Sequence, residues 1–187
     1  MFPHNGKIPV LYRHAMLKEF PAMALGKTLR PDQIYIFGPN GVGKSHLAAA
    51  LANAGIWPGF PMWIDPKALL AALNSAQRFE YEVSQDWIIS EISNNAGVVI
   101  LDDMLSAIKN DKGLAALMHV IDVRIVKKAP IIVTTDRMPS EVQGLDSSIA
   151  SRLLSMYPVK LSGPDRRMRG KMLAIDMEQG IADEIDL

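Results

Sequence analysis

Residues 38–45 read Gly-Pro-Asn-Gly-Val-Gly-Lys-Ser and satisfy every fixed position of the pattern G-x-x-x-x-G-K-[ST]. These types at this spacing suit one task, holding a phosphate. Gly38, Gly41 and Gly43 carry no Cβ, so the backbone can turn tightly and aim successive amide N–H groups at an anion. A helix starting at the end of the loop adds its partial positive charge. In this pattern Lys44 reaches the β- and γ-phosphates of a nucleotide, and the Ser45 hydroxyl binds Mg2+. The expected nucleotide-binding positions are Gly38, Pro39, Asn40, Gly41, Val42, Gly43, Lys44, Ser45 and the next residue, His46.

Asp102 and Asp103 form a second chemical group, closing the apolar run GVVIL at 97–101. Adjacent carboxylates at the end of a buried strand are costly unless they meet a cation or paired donors. Beside a phosphate loop they read as a Walker B element, in which Asp102 holds Mg2+ through water and Asp103 polarises the attacking water. A third group, Thr134, Thr135, Asp136 and Arg137, ends the run PIIVT at 130–134. Ligands bind at such C-terminal strand edges in open α/β sheets, where this cluster could position the water or sense the γ-phosphate.

Periodicity supplies the elements that must position these groups. Residues 34–37 are an apolar run read as a buried strand that empties into the loop, and 44–54 is an Ala- and Leu-rich helix stopped by Gly55, with Pro58 beyond. A second strand is expected over 61–65, with Pro66 at the first position of the next helix. Val83, Trp87, Ile88 and Ile92 recur at helical spacing over 82–93, which puts Trp87 in the core. The runs at 97–101 and 130–134 are unbroken, as expected of a parallel sheet covered on both faces. A polar loop over 106–112 precedes a helix over 113–126 that carries Asp122 and Arg124. Pro139 opens a short helix, Asp146 caps another that holds Arg152, and 157–161 is the final strand. Residues 1–30, broken by Pro3, Pro9, Pro21 and two glycines, read as an irregular arm with one helical piece at 14–19. His4 and His14 have no partners for metal binding and are expected at the surface. The alternation predicts an α/β P-loop NTPase, a doubly wound parallel sheet of about five strands with the nucleotide groups at strand ends.

Composition narrows the class further. At 187 residues, 49% hydrophobic and 21% charged, the chain is most simply one domain with a sizeable core. Lys plus Arg and Asp plus Glu both total 20, so no global basic field advertises nucleic acid. The absence of cysteine rules out disulfides and Cys-bearing zinc sites within the chain. With no leader-like start and no apolar run near 18 residues, a cytoplasmic protein with no membrane partner is expected. The organisation expected is an arm over 1–30, a core over 31–167 and a tail over 168–187. The basic cluster Arg166, Arg167, Arg169 and Lys171 gives way to acidic Asp176, Glu178, Asp183, Glu184 and Asp186.

The order of these stretches resembles one branch of the AAA+ ATPases, the DnaC-type helicase loaders with the transposition protein IstB and the initiator DnaA. IPVLYRHAMLKEF at 8–20 is similar to the segment that precedes the ATPase core in DnaC and IstB relatives. GPNGVGKSHLAAAL and VVILDDM supply its two nucleotide motifs, IDVRIVKKAPIIVTTDRMP its sensor-1 region, and SSIASRLLSM the helix that bears an arginine finger. The resemblance spans about residues 8 to 167 and implies an AAA+ core; DnaA carries a C-terminal helical lid for which this chain is too short, so a core without a lid domain is expected. The resemblance implies ATP and Mg2+ as cofactors, Asp103 as the catalytic acidic residue and Asp136 as sensor 1. Arg152 would be a finger acting on ATP held by a neighbouring subunit, and Arg167, in GPDRR, a second contact to phosphate. Implied partners are further copies of the chain, single-stranded DNA, and a replicative helicase or a transposase. Only about 30 residues precede the first strand, fewer than the helicase-binding region of DnaC.

Three functions compete on these residues: a replication or transposition ATPase that assembles on DNA, a small-molecule P-loop kinase, and a nucleotide switch with negligible turnover. Phosphate transfer to a metabolite would decide for the kinase. A chain whose biological activity survives Asp103→Asn but not Lys44→Ala would be the switch.

Overall fold

A computed structural model describes residues 6–20, 32–78, 84–107, 111–138, 141–142 and 147–167. The expectations for His4, Pro139, the Asp146 cap, Arg169, Lys171 and the acidic tail fall outside these residues.

Five parallel strands form one sheet: β1 (Gln33–Phe37), β2 (Met62–Ile64), β3 (Val99–Leu101), β4 (Ile131–Thr135) and β5 (Tyr157–Lys160). They lie in the order β2-β3-β4-β1-β5. Alternation within each strand divides the apolar side chains between two cores. Tyr35, Phe37, Val99, Leu101, Ile131 and Val133 pack on one face. Ile34, Ile36, Ile100 and Ile132 pack on the other. Near-continuous apolar strands are what two covered faces require.

Helix α1 (Lys44–Asn53) covers the second face, while α2 (Pro66–Arg78), α3 (Gln85–Asn94), α4 (Asp111–Val126) and α5 (Ser147–Ser155) lie on the first. The Asp65 side chain accepts from Lys67 N at 2.8 Å just ahead of α2, and Ser84 caps α3 by accepting from Trp87 N at 3.1 Å. Trp87 is 43% exposed rather than in the core. The buried stripe of α3 runs through Ile88 and Ile92, four residues apart on one line, and leaves position 87 at its margin. Residues 106–107 close a 3-10 turn (Met104–Ala107), and α4 begins two residues earlier than its sequence suggests.

The arm holds two 3-10 turns, Val10–Tyr12 and Leu17–Glu19, where a single piece at 14–19 was expected. The Asn53 amide, at the end of α1, donates to the carbonyls of Tyr12, Arg13 and Ala15 and pins those turns against the helix. Ala15 and Phe20 are buried there and His14 is exposed. Among the described residues no helix is long and apolar enough to cross a membrane.

Candidate functional site

Strand register builds the site. Leu101 pairs with Val133, so Asp102 and Thr134 emerge side by side from β3 and β4. Phe37 pairs with Lys160, so the segment after β5 leaves the sheet at the same level as the loop after β1. Leu161 N donates to Phe37 O at 2.8 Å, and the chain then folds back until Arg166 N donates to Gly41 O at 3.0 Å.

The loop needs its glycines for two reasons. Gly43 caps α1 in the left-handed region at φ 104°, which frees the first-turn amides of α1 to face the cleft. A Cβ on Gly38 would stand 2.1 Å from the Leu161 carbonyl oxygen, so the close approach of the two segments excludes a side chain. Lys44 is 9% exposed, and its ammonium donates to the carbonyls of Gly38 and Pro39, both at 2.8 Å. Burial pulls its pKa below the usual lysine value, opposed by the negative charges of Asp136, Asp103 and Asp102.

Across from Lys44, the Thr134 hydroxyl donates to Asp102 Oδ1 at 2.7 Å and accepts from Asp103 N at 2.8 Å. One hydroxyl thereby fixes both carboxylate residues. Asp103 sits at φ 56°, a conformation uncommon outside glycine and frequent at functional sites. Burial raises the Asp102 pKa above the ordinary carboxylate value, while hydrogen bonds from Thr134 and Ser45 pull it back.

These groups share a cleft of about 520 Å³. Its walls include Asn40, Gly41, Gly43, Lys44, Ser45 and His46 from the loop and α1, with Asp102, Asp103 and Arg167 opposite. Gly38 and Pro39 contribute through their carbonyls, and Val42 is buried beneath. Asp136 is not on the wall; it pairs with Arg137 at 4.0 Å and reaches the site through its charge on Lys44. Arg152 also lies off the cleft, bonded to Asp122 and Ser148. His46 bonds Glu19 of the arm at 2.7 Å, and the Met16 N–H and His46 together hold Glu19 below its ordinary pKa.

The walls also hold Thr134, from the cluster expected to position the water or sense the γ-phosphate, Arg166, from the basic cluster, and Leu11 and Tyr12, which the sequence did not single out. Arg166 lies over the Phe20 ring, 4.8 Å from its centroid, so it joins the returning segment to the arm. The pairing of β5 with β1 is what brings it there, and the sequence signalled that only through the run at 157–161. Among the described residues there is no cluster of three or more His, Cys, Asp or Glu. A hard cation here would have to be completed by substrate oxygens, as Mg2+ usually is when few carboxylates hold it, and the Ser45 hydroxyl and Asp102 carboxylate suit that role.

Residues 23–154 match the family described as IstB-like ATP binding protein. The chain belongs to that family. This IstB-like chain also resembles the chromosomal replication initiator DnaA of Rhizobium meliloti, at 27% identity over 162 residues, 85% of this chain and 33% of that protein. DnaA of Ralstonia nicotianae is 23% identical over 167 residues, 86% of this chain and 30% of that one. The IstB-like chain thus spans about a third of the length of these curated relatives. Among solved structures, the DnaC helicase loader superposes with a TM-score of 0.65 at 18% identity, covering 82% of this chain and all of that one. DnaA bound to AMPPCP and single-stranded DNA gives 0.66 at 15% identity, covering 95% and 58%. The fold is that of an AAA+ P-loop core, in a family of ATP-binding proteins.

Proposed function

We propose that this chain hydrolyses ATP in a Mg2+-dependent reaction, and that it does so as an oligomer on DNA, single-stranded by preference, in replication (helicase loading) or transposition. The observation that carries the reading is the single cleft in which Lys44 and Ser45 face Asp102, Asp103 and Thr134. The ATPase core is taken as 31–167, with 1–30 as arm and 168–187 as tail. A neighbour bound to single-stranded DNA and a helicase-loader neighbour support the DNA and partner parts. A replicative helicase or a transposase would be the protein partner.

In this reading the loop amides and Lys44 hold the β- and γ-phosphates, the ammonium exchanging the Gly38 and Pro39 carbonyls for phosphate oxygens. Ser45 and Asp102 would hold Mg2+, which when bound neutralises the charge that builds on the transferred phosphoryl group. Asp103 orients the attacking water and accepts its proton, with Thr134 fixing its backbone. Asp136 acts as sensor 1 through its charge on Lys44. Arg167 and the adjacent Arg166 approach phosphate from the returning segment, with His46 on the near wall. Arg152 serves the ATP of the neighbouring subunit, which its position off its own cleft permits.

Steady-state ATP hydrolysis, measured against protein concentration with and without single-stranded DNA, tests this. Specific activity is expected to rise with concentration and with DNA, and Arg152→Ala to lose roughly 10³-fold or more in rate while still binding ATP. Activity indifferent to concentration, DNA and Arg152 would sink the assembly part. Phosphate transfer to a small molecule would point to a kinase instead.

A further inference from the structure

The Arg152 side chain does not extend from α5 but folds back along it. Its Nη1 donates to the Ser148 carbonyl at 3.1 Å and to the Ser148 hydroxyl at 2.7 Å, one turn earlier on the same helix. Its Nη2 donates to Asp122 Oδ2 at 2.8 Å, and its Nε donates to Asp122 Oδ1. All three guanidinium nitrogens are therefore engaged within the subunit. Asp122 lies on α4, none of whose described residues lines the cleft, and the pair stays about one-third exposed, 33% for Arg152 and 39% for Asp122.

We infer that Asp122 is a latch on Arg152: in the separate subunit it holds the guanidinium against α4 with its charge matched, and assembly must exchange Asp122 for the γ-phosphate of a neighbour's ATP before hydrolysis proceeds. The inference rests on the reading of Arg152 as a finger acting between subunits. Three features support it. The fork-to-fork geometry is that of a strong carboxylate–guanidinium pair, which withholds the very nitrogens that would contact phosphate. Partial exposure keeps the exchange cheap, because a solvated pair is far easier to open than a buried one. A terminal phosphate carries more negative charge than one carboxylate and offers the same planar donors a bidentate alternative.

The latch makes a prediction opposite to that of an ordinary supporting contact, since removing it should raise activity. Hydrolysis is measured against protein concentration for wild type, Asp122→Asn, Ser148→Ala, Arg152→Ala and the double variant Asp122→Asn/Arg152→Ala, all checked for unchanged thermal midpoint and ATP affinity. Asp122→Asn is expected to raise the rate about two- to fivefold at concentrations where wild type is only partly assembled, the scale of an exposed ion pair. KM for ATP is expected to stay unchanged. Ser148→Ala, which removes one of the Nη1 acceptors, is expected to move in the same direction by less. The gain should vanish in the double variant. An unchanged or lowered rate in Asp122→Asn overturns the latch, as does a gain that persists without Arg152. A separate mixture identifies failure of the underlying reading: Lys44→Ala subunits, which supply Arg152, are combined with Arg152→Ala subunits, which supply ATP. If that mixture shows no more activity than its parts, Arg152 does not act between subunits, and the latch falls with it.

Discussion

Thr134 uses one hydroxyl twice, donating to Asp102 and accepting from Asp103 N at the same time. Replacing it by valine keeps the shape and removes both bonds. A hydrogen bond to a charged group is worth about 1.5 to 3 kcal/mol. Thr134→Val is therefore expected to lower kcat by roughly 10- to 100-fold with a small change in ATP affinity, whereas Thr134→Ser retains most of the rate; parallel kcat and KM determinations check this. Tyr35 gives a second residue-scale expectation. Its hydroxyl donates to Arg137 O at 3.1 Å, and burial, with the Glu141 charge, pushes the phenol up to about 12 from 10.0. The folded chain thus keeps the proton that the unfolded chain releases. The resulting stabilisation is fully present below pH 10 and is lost as pH rises through 12. Unfolding free energies from urea titrations across that window should fall more steeply for wild type than for Tyr35→Phe, by on the order of 2 kcal/mol.

At the scale of elements, Arg124 is the residue that ties helices to strands. It is fully buried on α4, and burial pulls its pKa down to about 10, which leaves it charged at neutral pH. Its guanidinium donates to Ile92 O, Ser93 O and Asn95 O at the end of α3, to Gly97 O before β3, and to Pro130 O before β4. A cation among the last carbonyls of a helix also meets the negative end of its dipole. These bonds lie at the strand ends remote from the cleft, and they join the two strands whose register sets Asp102 beside Thr134. Arg124→Met leaves those carbonyls without their donor and is expected to cost about 3 to 5 kcal/mol in urea unfolding. Arg124→Lys should recover only part of this, because three donors on one nitrogen cannot span the same carbonyls.

For the whole molecule, the cleft is closed from two sides by parts distant in sequence. The arm presents Leu11 and Tyr12, and the segment after β5 presents Arg166 and Arg167. They meet where Arg166 covers Phe20, while Glu19 grips His46 on α1. On the proposed reading, hydrolysis is expected to steepen with protein concentration, because Asp103 lies on the cleft and Arg152 off it, and bringing the two to one ATP would take two copies.

Much of this was legible in the residues alone. Lys44, Ser45 and the loop glycines announce themselves because a tight anion cradle can be built from few residue types, and all are contiguous. Apolar runs ending in Asp102 and in Thr134 located β3 and β4, since a strand covered on both faces cannot hide its composition. Bounds shifted by up to three residues, as where the helix expected over 82–93 starts at Gln85, and Trp87 was misplaced, because a helical stripe fixes a face but not its edges. Tertiary structure alone decided that Thr134 bridges both aspartates, that Arg166 joins Arg167 over the loop, that Asp136 stands off the wall and that Asp122 holds Arg152. Each of these depends on which strands or helices become neighbours and in what register. Local sequence carries no record of that, because the partners are about 30 or more residues apart and only packing brings them within bonding distance.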